Sequence, residues 1–215
     1  NVKNFSGHDN GNTLSKVANI IQEDYGYSFF WKVLNTCRFT KLPQNRERTF
    51  MIAFKDEVNW RSSPKDTMSS RFEKNFPPPK LNSPDPIKNF LEDDVVDEIF
   101  YYRQDEYMYH EIRKAMQSKD TLYQWRRKYV RENKSNLCPT LTANMGTGGH
   151  NVPLILTDDG IRKLTPRECF NFQGYPKSFK LPQNQSNSHL YKQSGNSVSV
   201  PLITKLAKII HKAIS

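Results

Sequence analysis

Two arginines, Arg46 and Arg48, stand two residues apart in LPQNRERTFMIAF (residues 42–54), directly before a run of apolar strand formers. Side chains two apart on an extended chain point to one face. Like charges on one face repel unless an anionic group lies between or above them, so this spacing asks for such a partner. A second candidate is the stretch from 119 to 134, where Lys119, Arg126, Arg127, Lys128, Arg131 and Lys134 face only Asp120 and Glu132, with Tyr123, Trp125 and Tyr129 interleaved. It reads either as a surface that lies along a nucleic-acid backbone or as a solvated strand face. GTGGHN (146–151) lacks the Lys-Ser/Thr of a P-loop and the spacing of a dinucleotide fingerprint. It reads either as a loop whose backbone can approach a groove or as a hairpin turn. Cys37, Cys138 and Cys169 are far apart and form no C-x-x-C pair, so neither a disulfide framework nor a metal site is indicated. A reducing, cytoplasmic compartment follows as the default.

The elements that must hold these groups are legible from periodicity and breakers. Leu14, Val17, Ile20 and Ile21 give an amphipathic helix over 13–24. SFFWKVLN (28–35) and TFMIAF (49–54) read as strands joined through the turn KLPQN, an α/β pattern. From about residue 55, Pro64, Pro77, Pro78, Pro79, Pro84 and Pro86 forbid long regular elements, and a domain boundary is expected there. Residues 92–106 carry seven acids against Arg103 alone. TPRE (165–168) is a capping box with proline at the first helical position. Pro201 opens a helix whose Leu202, Leu206, Ile209, Ile210 and Ala213 form one apolar stripe. Over the whole chain, 32 Lys+Arg against 22 Asp+Glu in 215 residues give a net charge of +10. That balance suits a polyanion, although a basic protein without such a partner carries the same signature. No apolar run approaches the roughly 20 residues of a membrane span, and no signal peptide is visible. The sequence opens on Asn1, not Met, so a trimmed chain or part of a longer protein is expected.

Taken in order, NVKN (1–4), PQNRER (43–48), CPTLTANMGTGGHNVP (138–153), RKLTPRECFNFQGYP (162–176) and YKQSGNSV (191–198) resemble the C-terminal motifs of the DNA cytosine-5 methyltransferases of bacterial restriction-modification systems. The resemblance touches nearly the whole chain. It implies an α/β fold: residues 1–54 as the tail of a Rossmann-like, S-adenosylmethionine-binding catalytic lobe, 55–185 as a smaller mixed target-recognition lobe with its supporting helix, and 186–215 returning to the catalytic lobe. It implies base flipping, attack of a cysteine thiolate on carbon 6 of cytosine, and methyl transfer to carbon 5. Arg46 and Arg48 match the paired arginines that face the flipped base, and Gln44 matches the residue that shapes that block. Asn196 and Ser197 match the methyl-donor side, with Gly195 letting the backbone come close to the donor; Ser197 or Ser199 also reads as a helix N-cap. Thr140 matches a contact to the DNA backbone. Arg126, Arg127, Asn144 and His150 are the candidates for base readout in duplex DNA, while Arg162 reads as scaffold.

The departures from the family pattern are as informative. The glycine-containing cofactor loop and the Pro-Cys nucleophile are both missing, since Cys37 follows Thr36, Cys169 follows Glu168 and Cys138 precedes a proline. The expected chain is therefore inactive alone and needs an N-terminal catalytic portion, in the same chain or in a separate subunit. Two other classes fit: a DNA-binding module that has lost chemistry, and an RNA cytosine-5 methyltransferase. The long interval between Arg48 and TPRE favours duplex DNA over RNA.

Overall fold

The computed structural model describes residues 2–79, 83–93, 95–106, 108–126, 128–133, 135–147 and 151–215. They form a mixed α/β protein that divides into two compact units. The first comprises residues 1–39, 47–81 and 201–215; the second comprises 40–46 and 82–200.

In the first unit, helix α1 (Asn12–Asn19) runs on through one wider π turn, Ile20–Asp24, so that the amphipathic stretch ends as expected near residue 24. Strand β1 (Ser28–Asn35) falls on the residues expected from its aromatic and branched content. Strand β2 (Glu47–Phe54) starts two residues earlier than its apolar run because Glu47 and Arg48 pair with Asn35 and Leu34 of β1. The pair is antiparallel. Phe30, Leu34 and Phe54 enter a core with Phe39, with Phe72 of helix α2 (Met68–Asn75), and with Leu202, Leu206, Ile209 and Ala213 of the C-terminal helix, Val200–Ile214. Phe72 meets Phe30 edge-on, ring centroids 5.0 Å apart. The boundary expected near residue 55 therefore falls later. The prolines do end regular structure, but Thr67 caps α2 by accepting from the Ser70 amide, and α2 returns Phe72 to the first core.

In the second unit, helix α3 (Tyr109–Ala115) packs Ile112 against a four-stranded antiparallel sheet. Its strand order is β4 (Tyr129–Glu132), β3 (Tyr123–Arg126), β5 (Leu154–Leu156), β6 (Ile161–Lys163). Helix α4 (Pro166–Phe172) carries the expected capping box in full: the Thr165 hydroxyl accepts from the Glu168 amide, and the Glu168 carboxylate accepts from the Thr165 amide. Glu168 is wholly buried and also takes both terminal nitrogens of Arg162, at 2.8 and 2.7 Å. This pairing fixes the end of β6 to the start of α4, the scaffold role expected for Arg162. Helix α5 (Asn187–Asn196) is tied down by Tyr191, whose hydroxyl donates to the Leu164 carbonyl, and by Gln173, whose amide donates to the Ser194 carbonyl at 3.0 Å. The residues 186–200, expected with the catalytic lobe, belong to this second unit. Among the described residues, no helix is long and apolar enough to cross a membrane, and no cluster of His, Cys, Asp or Glu could hold a metal ion.

Candidate nucleic-acid and methyl-donor site

The two arginines of the opening motif have different surroundings. The alternation that would place them on one face applies inside a strand, and β2 begins at Glu47, so Arg46 precedes it. Arg46 is 4% exposed. Its guanidinium donates to three backbone carbonyls: Leu141 at 2.7 Å, Gly195 at 3.1 Å and Ser197 at 2.6 Å. A buried cation must be compensated, and here carbonyl dipoles do it. The expectation that Arg46 presents its fork to a base is corrected by this geometry: its donors hold the turn after α5 against the segment that follows Cys138. Gln44 is equally inward, wholly buried, with its amide donating to the Phe172 carbonyl at 3.3 Å.

Arg48 lies in β2 opposite Leu34, at the start of the strand, and is half-buried. One N–H donates to the Glu47 carbonyl at 2.8 Å, leaving the rest of the fork for another partner. Burial lowers its pKa from the ordinary arginine value, yet the group remains cationic at any pH near neutrality. Val2 pairs with Arg48 as an isolated antiparallel bridge, and Thr49, next along β2, donates to the Val2 carbonyl at 3.2 Å. Val2, near the start of the sequence, thus runs beside the arginine. That proximity is invisible in a linear reading.

The QSGNS segment closes α5. A Cβ on Gly195 would lie 2.1 Å from the Thr142 carbonyl carbon and 2.4 Å from the Ala143 nitrogen. Its missing side chain therefore admits the protein's own backbone, not a donor as expected. Ser197 donates its hydroxyl back to the Ser194 carbonyl at 2.7 Å, and the Ser199 hydroxyl has no hydrogen-bond partner, so the expected N-cap of the C-terminal helix is not made by either. Asn196 is exposed, and Val198 is 48% exposed. Together they offer one hydrogen-bonding amide beside one apolar group.

Thr140, expected on a DNA backbone, is half-buried, and its hydroxyl donates to the Asn45 carbonyl, at 2.6 Å. With the Asn45 amide donating to the Cys138 carbonyl at 2.8 Å, it stitches residues 138–140 to 43–45. Asn144, in the short turn Ala143–Gly146, is exposed. Arg126 is exposed near the end of β3. Arg127 and His150 lie outside the described residues. The register that places Gln124 opposite Arg131 and Arg126 opposite Tyr129 puts these four on the face of the β3–β4 hairpin away from the core, where Trp125, Val130 and Tyr123 pack. Within the basic stretch, β3 and β4 thus put Arg126 and Arg131 on one outer face.

All three thiols are buried. Burial raises the pKa of Cys37, and raises those of Cys138 and Cys169 well above the ordinary thiol value. A thiolate is the reactive form of cysteine, and burial disfavours it at all three positions.

Residues 1–212 match the family described as C-5 cytosine-specific DNA methylase. The chain is 49% identical over 220 residues to Type II methyltransferase M.Bsp6I of Bacillus sp. (strain RFL6), covering 100% of this chain and 64% of that protein. It is 35% identical over 234 residues to Type II methyltransferase M.HhaI of Haemophilus parahaemolyticus, covering 100% of this chain and 62% of that protein. The chain thus spans somewhat under two thirds of the length of these relatives. Its fold is similar to that in the crystal structure of S. pombe Dnmt2 methyltransferase, with a TM-score of 0.65 at 16% identity, over 100% of this chain and 66% of that one.

Proposed function

Because this chain belongs to the C-5 cytosine-specific DNA methylase family, we propose that it supplies the recognition part and one cation of an enzyme that methylates carbon 5 of a flipped-out cytosine in a specific duplex sequence. The setting is that of a type II restriction-modification methyltransferase. The observation that carries the reading is Arg48: among the described residues a half-buried guanidinium with most of its fork uncommitted, on a strand beside Val2.

The chemistry explains why such a group is needed. Attack of a thiolate on carbon 6 of cytosine pushes electron density toward the ring carbonyl oxygen and makes carbon 5 nucleophilic. A fixed cation at that oxygen stabilises the developing charge, and in a site shielded from water it does so strongly. The base must leave the stack first, because its ring face is covered in a duplex. Arg48 is assigned to the carbonyl oxygen. Arg46 and Gln44 act as positioning residues that hold backbone segments of the second unit together. S-adenosylmethionine, when bound, supplies an electrophilic methyl group. In this chain the exposed Asn196 amide and Val198 would hold one edge of it, with the turn kept in place by Arg46. The nucleophile and most donor contacts are assigned to the portion of the relatives that this chain does not span, since its own thiols are buried and their pKa values raised. The hairpin's outer face and Asn144 are assigned to the duplex.

The test is product analysis with the complete enzyme, meaning this chain together with the portion that bears the thiolate. It is incubated with methyl-labelled donor and either duplex DNA or folded RNA, and the product is digested to nucleosides. 5-Methylcytosine in duplex DNA at one sequence context is expected, with a strongly reduced rate for Arg48→Ala. Label in RNA alone, or duplex binding without any label, contradicts the reading.

A further inference from the structure

The segment Leu141–Gly146 and helix α5 are interlocked at both ends of the helix, and the interlock joins the two ligand-facing parts of the second unit. Near the start of α5, a Cβ on Gly146 would meet the Ser188 carbonyl oxygen at 2.3 Å and the Lys192 Cβ at 3.2 Å, while the Ser188 hydroxyl donates to the Gly146 carbonyl. At the end of α5, Gly195 is pressed against the Thr142–Ala143 backbone. There Arg46 bridges the Leu141 carbonyl on one side to the Gly195 and Ser197 carbonyls on the other. One glycine on each partner therefore removes the side chain that would hold the two backbones apart. Asn144 lies within the first segment and Thr147 directly after it, both exposed; Asn196 follows directly after Gly195.

We propose that Gly146, Ser188, Gly195 and Arg46 form a clamp that couples occupancy of the DNA-facing turn Ala143–Gly146 to occupancy of the donor-facing turn Asn196–Val198. The inference rests on the functional reading above and adds to it a specific route of coupling. Two backbones in direct contact, cross-braced by a buried cation, do not shift independently, so ordering either turn orders the other. Ligands that each order their own turn then bind cooperatively, and the effect is reciprocal: duplex tightens donor binding by the factor by which donor tightens duplex binding. The four residues are positioning residues and touch neither ligand.

The experiment measures the affinity of S-adenosylhomocysteine, which binds without turnover, for the complete enzyme by calorimetry, with and without a saturating cognate duplex. The ratio of the two affinities is the coupling factor, and a wild-type value of about tenfold is expected. Ser188→Ala removes one hydrogen bond from an exposed helix position and should lower the coupling factor about fivefold while leaving thermal stability nearly unchanged. Gly146→Ala forces the backbones apart and should bring the factor to one. Loss of fold alone would raise the ratio, because a saturating duplex restores the folded fraction and so tightens the second ligand. A coupling factor of one in the wild type, or one unchanged in Ser188→Ala, overturns the clamp while leaving the methyltransferase reading standing. Absence of both duplex and S-adenosylhomocysteine binding in the wild type would instead remove that reading, and the clamp with it.

Discussion

The different surroundings of Arg46 and Arg48 make a quantitative prediction about two substitutions that look equivalent on paper. Arg46→Ala removes three charge-assisted hydrogen bonds, at 2.7, 3.1 and 2.6 Å, and leaves the carbonyls of Leu141, Gly195 and Ser197 without that donor in a buried setting. Hydrogen bonds to charged groups contribute about 1.5–3 kcal/mol each, and they do not sum fully because one side chain makes all three. The expected loss is about 3–5 kcal/mol, a large fraction of the roughly 5–15 kcal/mol that holds a domain folded. Arg48→Ala removes one bond, to the neighbouring Glu47 carbonyl, from a half-buried strand position, so its expected loss is about 1 kcal/mol or less. The rate effect runs the other way. Removing a group that stabilises charge in the transition state costs about two to three powers of ten. The assay is urea unfolding followed by tryptophan fluorescence, paired with single-turnover methylation by the complete enzyme at saturating duplex. Arg46→Ala should lower the unfolding midpoint sharply. Arg48→Ala should keep the midpoint and lose the rate. Equal behaviour of the two variants, or a stable Arg46→Ala enzyme with a lost rate, refutes the division of labour.

Glu168→Ala leaves the buried Arg162 guanidinium without its counter-ion and the Thr165 and Glu92 amides without an acceptor; a loss of about 3–5 kcal/mol is expected in the same unfolding assay, and a loss below 1 kcal/mol would contradict the geometry. Thr165→Ala should cost about 1 kcal/mol through the capping box alone, read as a smaller midpoint shift than that of Glu168→Ala. Burial raises the pKa values of Cys138 and Cys169 above the ordinary thiol value of 9.0, so each favours the folded state fully below that pH and ceases to do so as pH rises above it. Unfolding midpoints between pH 7 and 10 should therefore begin to fall only near pH 9, less steeply in Cys138→Ala; a fall already complete at pH 8 would contradict this. Arg131→Ala on the outer hairpin face should weaken duplex binding across sequences and reduce the slope of log affinity against log salt by about one, measured by fluorescence anisotropy.

The parts of this molecule that the linear sequence exposes are the locally determined ones. Strand β1, the capping box of α4 and the apolar stripe of the C-terminal helix follow from patterns spanning a few residues, and all three are found where periodicity puts them. What escapes is the destination of polar groups whose partners lie far along the chain. Arg46 reaches carbonyls 95, 149 and 151 residues away, and nothing in NRER distinguishes it from Arg48. The start of β2 decides the matter, and strand ends are set by pairing with β1 more than by composition. Gly195 is a similar case. A glycine before an asparagine reads as room for a ligand, whereas the approaching backbone is Thr142–Ala143, over fifty positions earlier. Gly146 carries the same information in GTGG, where the turn reading concealed a helix contact. Prolines also mislead when counted alone. Those from 64 to 79 exclude long elements, but a two-turn helix fits between them and brings Phe72 into the first core.

The proposed function has this chain bring the cation and the recognition surface to cytosine methylation, with the thiolate on the portion of its relatives that it does not span. The most direct measurement uses a duplex with 5-fluorocytosine at the target position, where fluorine cannot leave as a proton does and the covalent adduct persists. The complete enzyme is reacted with this duplex and S-adenosylmethionine, digested, and mapped by mass spectrometry. The expected result is a single adducted cysteine outside this sequence, with Cys37, Cys138 and Cys169 unmodified. An adduct on any of those three would contradict the account.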